Sequence, residues 1–381
     1  MQPGAADRFG YNGTVCMELS VTADMAVAST SQRQPWLHSA GLDLVFIIGP
    51  AFAVSAAVLV FPNIFASSEI PTWSWAVLIL GVDVAHVYGT LFRTYLDPQE
   101  LWRHPTRYFV VPLACWGVGV FLYVLSWMAF WRALAYLAVF HFVRQQYGFV
   151  ALYSRGESRS AAERLLTGAA IYVSTLYPLL YWHAHLPRAF HWFVADDFVS
   201  LPIAKLLPWI FGVYAITLAA YMAGEIRHAW ETGYVNWPRN LIIAGTALSW
   251  HLGIITFNGD LAFTATNIIA HGIPYMALVW IFGRRRARRQ QSLQQKQNRG
   301  VAFFSLPWLP AYLGILIALA YFEEGLWHGF VWREHLNLFY PFAHLPALNG
   351  SILTWLVPLL ALPQSTHYVL DGFIWRLRKT R

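Results

Sequence analysis

Histidines with polar neighbours occur inside four segments that are otherwise apolar enough to cross a bilayer. One of these segments, "HFVRQQYGFVALY" (141–153), carries a histidine, an arginine and two glutamines within six residues. Ionisable groups at bilayer depth cost on the order of 3 kcal/mol each, so those that occur usually face a protein interior and have a function. The four histidines are His86, His141, His271 and His367.

Each histidine belongs to a polar stripe with helical spacing, because intervals of three or four residues place side chains on one face of an α-helix. Pro274 is expected to free a backbone carbonyl near His271, and Gly148 to let another helix or a ligand approach closely. The four stripes are Asp83, His86, Thr90, Arg93 and Asp97; His141, Arg144, Gln145 and Gly148; Thr264, Asn267, His271 and Tyr275; and Gln364, His367 and Asp371.

Metal binding is the chemistry that best explains these stripes. Neutral imidazole is the commonest metal ligand, and a ligating histidine usually donates its other ring N–H to a carboxylate or carbonyl. Asp83, three residues before His86, and Asp371, four residues after His367, are placed to be such partners or direct ligands. The two cysteines have no metal-type spacing. A site rich in histidine, with carboxylates and no thiolate, suits non-haem iron or zinc.

Two arginines on the stripes would complement such a site. Arg144, together with Gln145, is predicted to bind the polar end of a substrate or to balance the aspartates. Arg93 either does the same or extends to the membrane surface. Tyr275 is predicted to be a packing residue. The predicted metal ligands are thus the four histidines, and the predicted catalytic residues are Asp83, Arg144, Gln145 and Asp371.

The composition is that of a membrane protein with several spans. Of the 381 residues, 57% are apolar and 12% are charged. A soluble domain with this balance could not cover its own surface. The net charge of +7 comes from Lys and Arg in short loops, where membrane topology explains them, so nucleic-acid binding is excluded. The 19 tryptophans exceed the need of interfacial belts and predict rings that line a cavity.

The predicted fold is an all-α, polytopic helical bundle. Basic residues collect on alternate loops, notably in "GRRRARR" (283–289), which predicts that both termini are cytoplasmic. We expect a disordered tail over 1–35, one transmembrane domain over 36–375 and a basic cytoplasmic tail over 376–381. Ten segments of about 20 residues are predicted to span the membrane: 41–62, 72–95, 107–127, 130–153, 163–183, 206–225, 239–257, 262–283, 302–321 and 352–374.

The four histidines are predicted to lie at one level of the membrane. Their helices are all predicted to run from the outer to the inner side. At a rise of about 1.5 Å per residue, the four histidines, in chain order, lie about 13, 18, 18 and 10 Å from the cytoplasmic ends of their helices. They can share a site if the four helices are neighbours. His251 lies near the outer surface on an antiparallel helix and is less suited. The histidines predicted to be interfacial are His183, His185, His191, His328, His335 and His344.

These features predict an integral-membrane, metal-dependent enzyme in a bacterial inner membrane. The predicted reaction is that of a non-haem iron oxidoreductase or oxygenase on a lipid or isoprenoid that enters from the bilayer. The arrangement is similar in outline to the membrane dioxygenases that cleave carotenoids, helical bundles that hold iron through several histidines. No motif of that family matches residue by residue, so no residue role is transferred from it.

Two other classes of function remain open. In a transporter or proton-coupled carrier, the charged stripes would line a path. The outer halves of the predicted spans carry few polar residues beyond His251 and Asp260, which favours a one-sided pocket instead. In a subunit of a membrane electron-transfer complex, the histidines would bind haem or a pigment axially.

Overall fold

The computed structural model describes three parts of the chain, and in them every regular element is a helix, as the apolar pattern predicts. In an apolar surrounding, a helix satisfies all its backbone N–H and C=O groups within one segment. The described residues are 33–67, 70–293 and 303–375, with the backbone alone described for 289–293.

The chain divides by its internal contacts into two units, Met1–Gln34 and Pro35–Arg381, and the second contains all the helices described below. The predicted disordered tail over 1–35 falls, except for its last three residues, outside the described residues. The predicted basic tail over 376–381 also lies outside them.

The second unit has twelve helices of functional interest in its described residues. They are α1 (Ala40–Val60), α2 (Thr72–Arg93), α3 (Pro98–Arg103), α4 (Pro105–Leu125), α5 (Trp127–Ser154), α6 (Ala161–Ala184), α7 (Ala204–Thr232), α8 (Trp237–Trp250), α9 (Asp260–Leu293), α10 (Leu306–Trp332), α11 (Gly350–Leu360) and α12 (Leu362–Ile374).

Seven of these helices are long and apolar enough to cross a membrane, namely α1, α2, α4, α6, α7, α9 and α10. The protein is therefore treated as a multi-pass membrane protein. The predicted spans 130–153, 239–257 and 352–374 are also helical, but none of them is among the seven. The count of ten and the cytoplasmic termini accordingly stay predictions.

Helix α9 lies at the centre of the bundle. Of the residues in the apolar stretch of α9, 67% are buried inside the protein, whereas only 11% of those in the apolar stretch of α7 are buried. Helix α9 packs against α1, α2 and α8, while α12 packs against α2, α4 and α5. The four helices that carry the predicted ligands, α2, α5, α9 and α12, are therefore neighbours, which is the condition that the sequence could not test.

Helix α2 ends earlier than its polar stripe predicts. It contains a widened π-helical stretch over Ala76–Val84 and closes in a tight 3₁₀ turn over Thr90–Arg93. Asp97 lies beyond that end, where it caps α3 by accepting the backbone N–H groups of Gln99 and Glu100. It also forms an ion pair with Arg286. The prediction that Asp97 shares the helical face of the other four polar residues is wrong, because the helix stops at Arg93.

Helix α10 extends past the predicted end of its span at residue 321. Glu323, Glu324 and His328 lie inside this extension, and each is no more than 7% exposed. His328 is therefore a buried helical residue and not the interfacial loop residue that the sequence predicts. The sequence predicts that the outer halves of the spans carry few polar residues, and these three buried side chains contradict that prediction.

The last predicted span, 352–374, is two helices rather than one. Helix α11 ends at Leu360 and α12 begins at Leu362, with Ala361 between them. Pro363 stands in the first turn of α12, where the missing N–H of proline leaves no helical bond unmade. The break lets α12 carry His367 and Asp371 at its own angle, independent of α11.

Candidate metal centre

The four predicted ligands meet at one point inside the bundle. Nε2 of His141 lies 3.2 Å from Nε2 of His271 and 3.1 Å from Nε2 of His367. Nε2 of His271 lies 3.2 Å from Nε2 of His86. Each side chain is no more than 3% exposed, and one ring nitrogen from each lies within 4.8 Å of all the others. This buried group of four histidines could hold a metal ion.

Hydrogen bonds among the rings cannot account for this convergence. An imidazole Nε2 has one in-plane position, which holds either a proton or a lone pair. Four such atoms can therefore form two hydrogen bonds at most, whereas three close contacts are present. Four lone pairs directed at one cation remove the conflict. Nitrogens bound tetrahedrally at about 2.1 Å from zinc are separated by roughly 3.4 Å, close to the observed spacing.

The protonation of His86 follows from its backbone contact. Its Nδ1 lies 3.3 Å from the carbonyl oxygen of Val82 in the preceding turn of α2. A carbonyl only accepts, so Nδ1 carries the proton and Nε2 presents its lone pair to the other three rings. Asp83 Oδ1 lies 3.8 Å from the same Nδ1. The predicted pairing of Asp83 with His86 thus has the right neighbours, on the side of the ring away from the centre.

Asp371 lies beside two of the histidines. Its Oδ2 lies 3.7 Å from Nδ1 of His141, and its Oδ1 lies 3.8 Å from Nδ1 of His367. The hydroxyl oxygen of Thr90 lies 2.6 Å from Nδ1 of His367 and 2.8 Å from the hydroxyl oxygen of Tyr275. Both aspartates therefore stand behind the ligands, at the Nδ1 side, rather than among the four converging nitrogens.

His271 is held by stacking and by its backbone. Its ring lies flat on Phe142 from α5, with centroids 3.6 Å apart and planes 6° apart. Its carbonyl oxygen accepts a hydrogen bond from Nε2 of Gln145 at 2.9 Å. Gln145, predicted to be catalytic, thus also ties α5 to the helix that carries His271.

The backbone carbonyl that Pro274 was predicted to free accepts a hydrogen bond from a side chain of another helix. Pro274 has no N–H to offer to Ala270, four residues earlier. The carbonyl oxygen of Ala270 instead accepts from Nε2 of Gln146 at 3.3 Å. The side-chain oxygen of Gln146 in turn accepts from Thr246 of α8 at 3.1 Å. The glutamine pair in "VRQQYG" therefore fastens α5 to α9, which answers why an apolar helix carries these two amides.

A cleft of about 980 Å³ opens beside the histidines, between α5, α6, α9 and α12. His141 and Asp371 form part of its inner wall, and most of the remaining wall is apolar or aromatic. Arg144 also lines the cleft and is exposed there. The Arg144 guanidinium donates to the Tyr172 hydroxyl at 2.5 Å and lies 4.9 Å from the ring centroid of Tyr147.

Gly148 lies in the same cleft wall, one helical turn after Arg144. A Cβ added at this glycine would have no atom within 4 Å. The glycine therefore leaves room for a ligand in the cleft. Of the two purposes that the sequence predicts for it, close approach of a ligand fits this open space, whereas close approach of another helix does not.

Arg93 is buried, with 4% of its surface exposed. Its guanidinium carbon lies 3.7 Å from the centroid of Phe282 and 5.1 Å from that of Trp375. Extension of this side chain to the membrane surface, one of its two predicted roles, is therefore wrong. Stacking on two aromatic faces holds the cation in the interior.

Three further polar residues of the predicted stripes also lie away from the centre. Thr264 donates to Asp260, and Asn267 donates to the carbonyl of Phe263 in its own helix. Gln364 donates to Glu323 of α10. A stripe with helical spacing is several turns long, so only the turn at the level of the histidines reaches them.

Sequence reasoning missed two groups at the centre. Phe142, which follows His141 directly and belongs to none of the polar stripes, forms the stacking face for His271. Tyr275 was predicted to pack only, yet its hydroxyl bonds both Thr90 and Asp371. The available signal for Tyr275 was its position four residues after His271, on the same helical face.

Comparison of the chain with protein-family models, with curated proteins and with solved structures found no significant match. The geometry of the four histidines and of the cleft beside them is therefore the ground on which a function is proposed.

Proposed function

We propose that the protein is an integral-membrane metalloenzyme, with iron foremost and zinc as the alternative metal, held by His86, His141, His271 and His367. The observation that carries this proposal is the convergence of four buried Nε2 atoms. Three pairs of these atoms lie 3.1–3.2 Å apart. Soft thiolate ligands are missing from the group, and neutral imidazoles suit iron and zinc.

The proposed reaction is oxidation or oxygenation of a lipid or isoprenoid. A bound iron ion would supply redox chemistry and Lewis acidity at the head of the cleft. The residues of the chain hold the ligands: Asp371 and Thr90 face the outer nitrogens of two rings, and the Val82 carbonyl fixes a third. Burial of all four histidines excludes bulk water from the reacting atoms.

The cleft fits a long apolar substrate with one polar end. Its wall includes Phe140, Leu176, Leu179 and Leu278, and it passes His141. Arg144 stands in this wall with Tyr172 as its hydroxyl partner. In an apolar surrounding a guanidinium binds a carboxylate or another anionic group through paired, charge-assisted hydrogen bonds. Arg144 would thus fix which end of the substrate lies away from the metal.

The proposal also includes the finer topology. Ten spans with cytoplasmic termini, in a bacterial inner membrane, would put the four histidines in the inner half of the bilayer. The clusters of arginine on alternate loops support this orientation. Substrate would then enter laterally, from the membrane itself.

Elemental analysis of detergent-purified protein tests the metal centre. We expect about one iron per chain in the wild type, because one ring nitrogen from each of the four histidines faces a single point. His141→Ala and His271→Ala should each lose the metal, whereas His344→Ala, an exposed residue outside the helices, should retain it. Full metal in both ligand variants overturns the assignment. Zinc in place of iron keeps the site but rejects the redox reaction.

A proton-coupled carrier is the second candidate function, and the buried acids of α10 favour it. Glu323 and Glu324 are buried polar groups near the end of α10, whereas the sequence predicts few polar residues in the outer halves of the spans. A carrier would move its solute into liposomes loaded with purified protein, in response to a pH gradient. Such uptake would favour the carrier over the enzyme, whereas stoichiometric iron without uptake would favour the enzyme.

A haem held between two of these histidines does not fit the geometry. Two axial ligands lie on opposite faces of a wide planar ring. The four ring nitrogens lie within 4.8 Å of one another, which leaves no space for such a plane between them. The purified protein should accordingly show no Soret absorption.

A further inference from the structure

A second polar group lies on α10, apart from the four histidines. It consists of Glu323, Glu324 and His328, here called the α10 cluster. Their exposures are 4%, 7% and 2%. Ionisable side chains at such burial in a membrane helix are costly and usually serve a function. The metal centre uses none of them.

Glu323 is well supplied with hydrogen-bond donors. Its Oε2 accepts from the Tyr88 hydroxyl at 2.7 Å, and its Oε1 accepts from the amide of Gln364 and from the indole of Trp327 at 3.4 Å. These donors come from α2, α12 and α10, so Glu323 joins three helices. Three donors on two oxygens suit a carboxylate.

Glu324 faces a different environment. Its Oε2 lies 3.5 Å from Nε2 of His328, one helical turn later. The backbone of Glu334 also contacts the His328 ring. Glu323 and Glu324 are adjacent in the chain, and both are buried. Two negative charges side by side in an apolar interior are too costly to coexist, so a proton must reside in this region.

The α10 cluster continues towards the surface of the protein. The His328 ring lies 5.2 Å from the ring of His335, centroid to centroid. His335 is half-buried and follows the exposed Glu334, just after α10 ends. Titratable groups thus succeed one another from an exposed residue, through His335 and His328, to the two buried acids. Imidazole is the side chain best suited to accept and release protons near neutral pH.

We propose that Glu323, Glu324 and His328 form a proton-binding relay that exchanges protons with the outside of the protein through His335. The ligand of the site is the proton, passed from an imidazole nitrogen to a carboxylate oxygen. The relay is separate from the metal centre and does not depend on the metal for its existence. It would supply protons to the interior in an enzyme, and would couple transport to protons in a carrier.

Infrared spectroscopy of purified wild-type protein tests the proton. A protonated buried carboxyl absorbs apart from a carboxylate, and we expect such a band at neutral pH. Glu324→Gln should remove it, whereas Glu231→Gln, whose side chain is 62% exposed, should leave it. Glu324→Leu replaces the first variant if Glu324→Gln fails to fold. A band of unchanged intensity after the loss of Glu324 overturns the proposal.

Transfer of the protein into D₂O tests the route. The carboxyl band should shift as deuterium replaces the proton, and His328→Phe should slow this shift at least tenfold. The exposed His344→Phe should exchange at the wild-type rate. Equal rates in the His328 variant overturn the relay. Metal content in the same samples separates the two proposals: metal-free wild type with the expected exchange rejects the metalloenzyme alone, and loss of metal from Glu324→Gln rejects the separate relay.

Discussion

The hydroxyl of Tyr275 donates a hydrogen bond to Oδ1 of Asp371 at 2.7 Å. This bond holds the carboxylate of α12 against a residue of α9, at the level where both helices present a histidine. Asp371 in turn faces Nδ1 of His141 and of His367. One carboxylate therefore faces two of the four imidazoles at 3.7–3.8 Å, and Tyr275 positions that carboxylate.

Asp371→Asn should weaken metal binding about 10- to 100-fold, which is the usual effect of losing a partner behind a ligating histidine. The amide is neutral, so the substitution removes the negative charge that faces Nδ1 of His141 and of His367 at 3.7–3.8 Å. Metal affinity can be measured by competition with a coloured chelator. Asp196→Asn, at an exposed position outside the helices, is the control. Unchanged affinity in Asp371→Asn would show that this carboxylate does not act through the rings.

Gly272→Ala should also weaken metal binding, although glycine offers no ligand. A Cβ at Gly272 would lie 2.8 Å from Cγ1 and 3.1 Å from the carbonyl oxygen of Val82. That carbonyl accepts the Nδ1 proton of His86, so its displacement turns the ring. Gly314→Ala, where the added Cβ meets no atom within 4 Å, is the matched control. We expect full helical circular dichroism in both variants and reduced metal content in Gly272→Ala alone.

Gly148→Leu should block the cleft and leave the metal in place. The position faces open space in the cleft wall, so a leucine side chain would extend into it. Binding of a polyene fatty acid, whose fluorescence rises in apolar surroundings, reports on the cleft. Gly117→Leu also adds a side chain in open space, but on α4, away from the cleft. Equal binding by the two variants would place the ligand elsewhere.

Arg144→Gln should lower the affinity for the same fatty acid roughly 10- to 100-fold, since a hydrogen bond to a charged group is worth about 1.5–3 kcal/mol. The corresponding polyene alcohol should bind equally to both proteins. Arg132→Gln, in the same helix but bonded to the backbone of Asp196, is the control. A similar loss for the acid and the alcohol would mean that Arg144 shapes the wall and does not bind an anion.

The sequence singles out the four histidines that converge because one physical rule selects them. Histidine at bilayer depth is costly, and each of the four has polar neighbours at helical spacing. Helix direction and a rise of about 1.5 Å per residue then place the rings at one level. The structure adds that the helices are neighbours, which depends on packing between residues far apart in the chain, such as His141 and His367.

The ends of helices are predicted less well, because the hydropathy pattern does not locate them. The adjacent acids Glu323 and Glu324 lower the local hydropathy, so the predicted span stops at residue 321 although the helix continues to Trp332. Asp97 was placed on α2 by spacing alone, whereas the chain turns after Arg93. The Phe142 ring under His271 follows from the angle between two helices, which no local pattern encodes.

Arg93, stacked between Phe282 and Trp375, has a consequence for how an ion reaches the histidines. A fixed positive charge at that end of the stripe repels incoming cations electrostatically, much as a ring of arginines guards an anion pore. The cleft is the alternative route, and its wall carries Asp371 as well as Arg144. Metal insertion would accordingly proceed sideways, along the cleft, and a bulky occupant of that cleft would trap the ion once it had arrived.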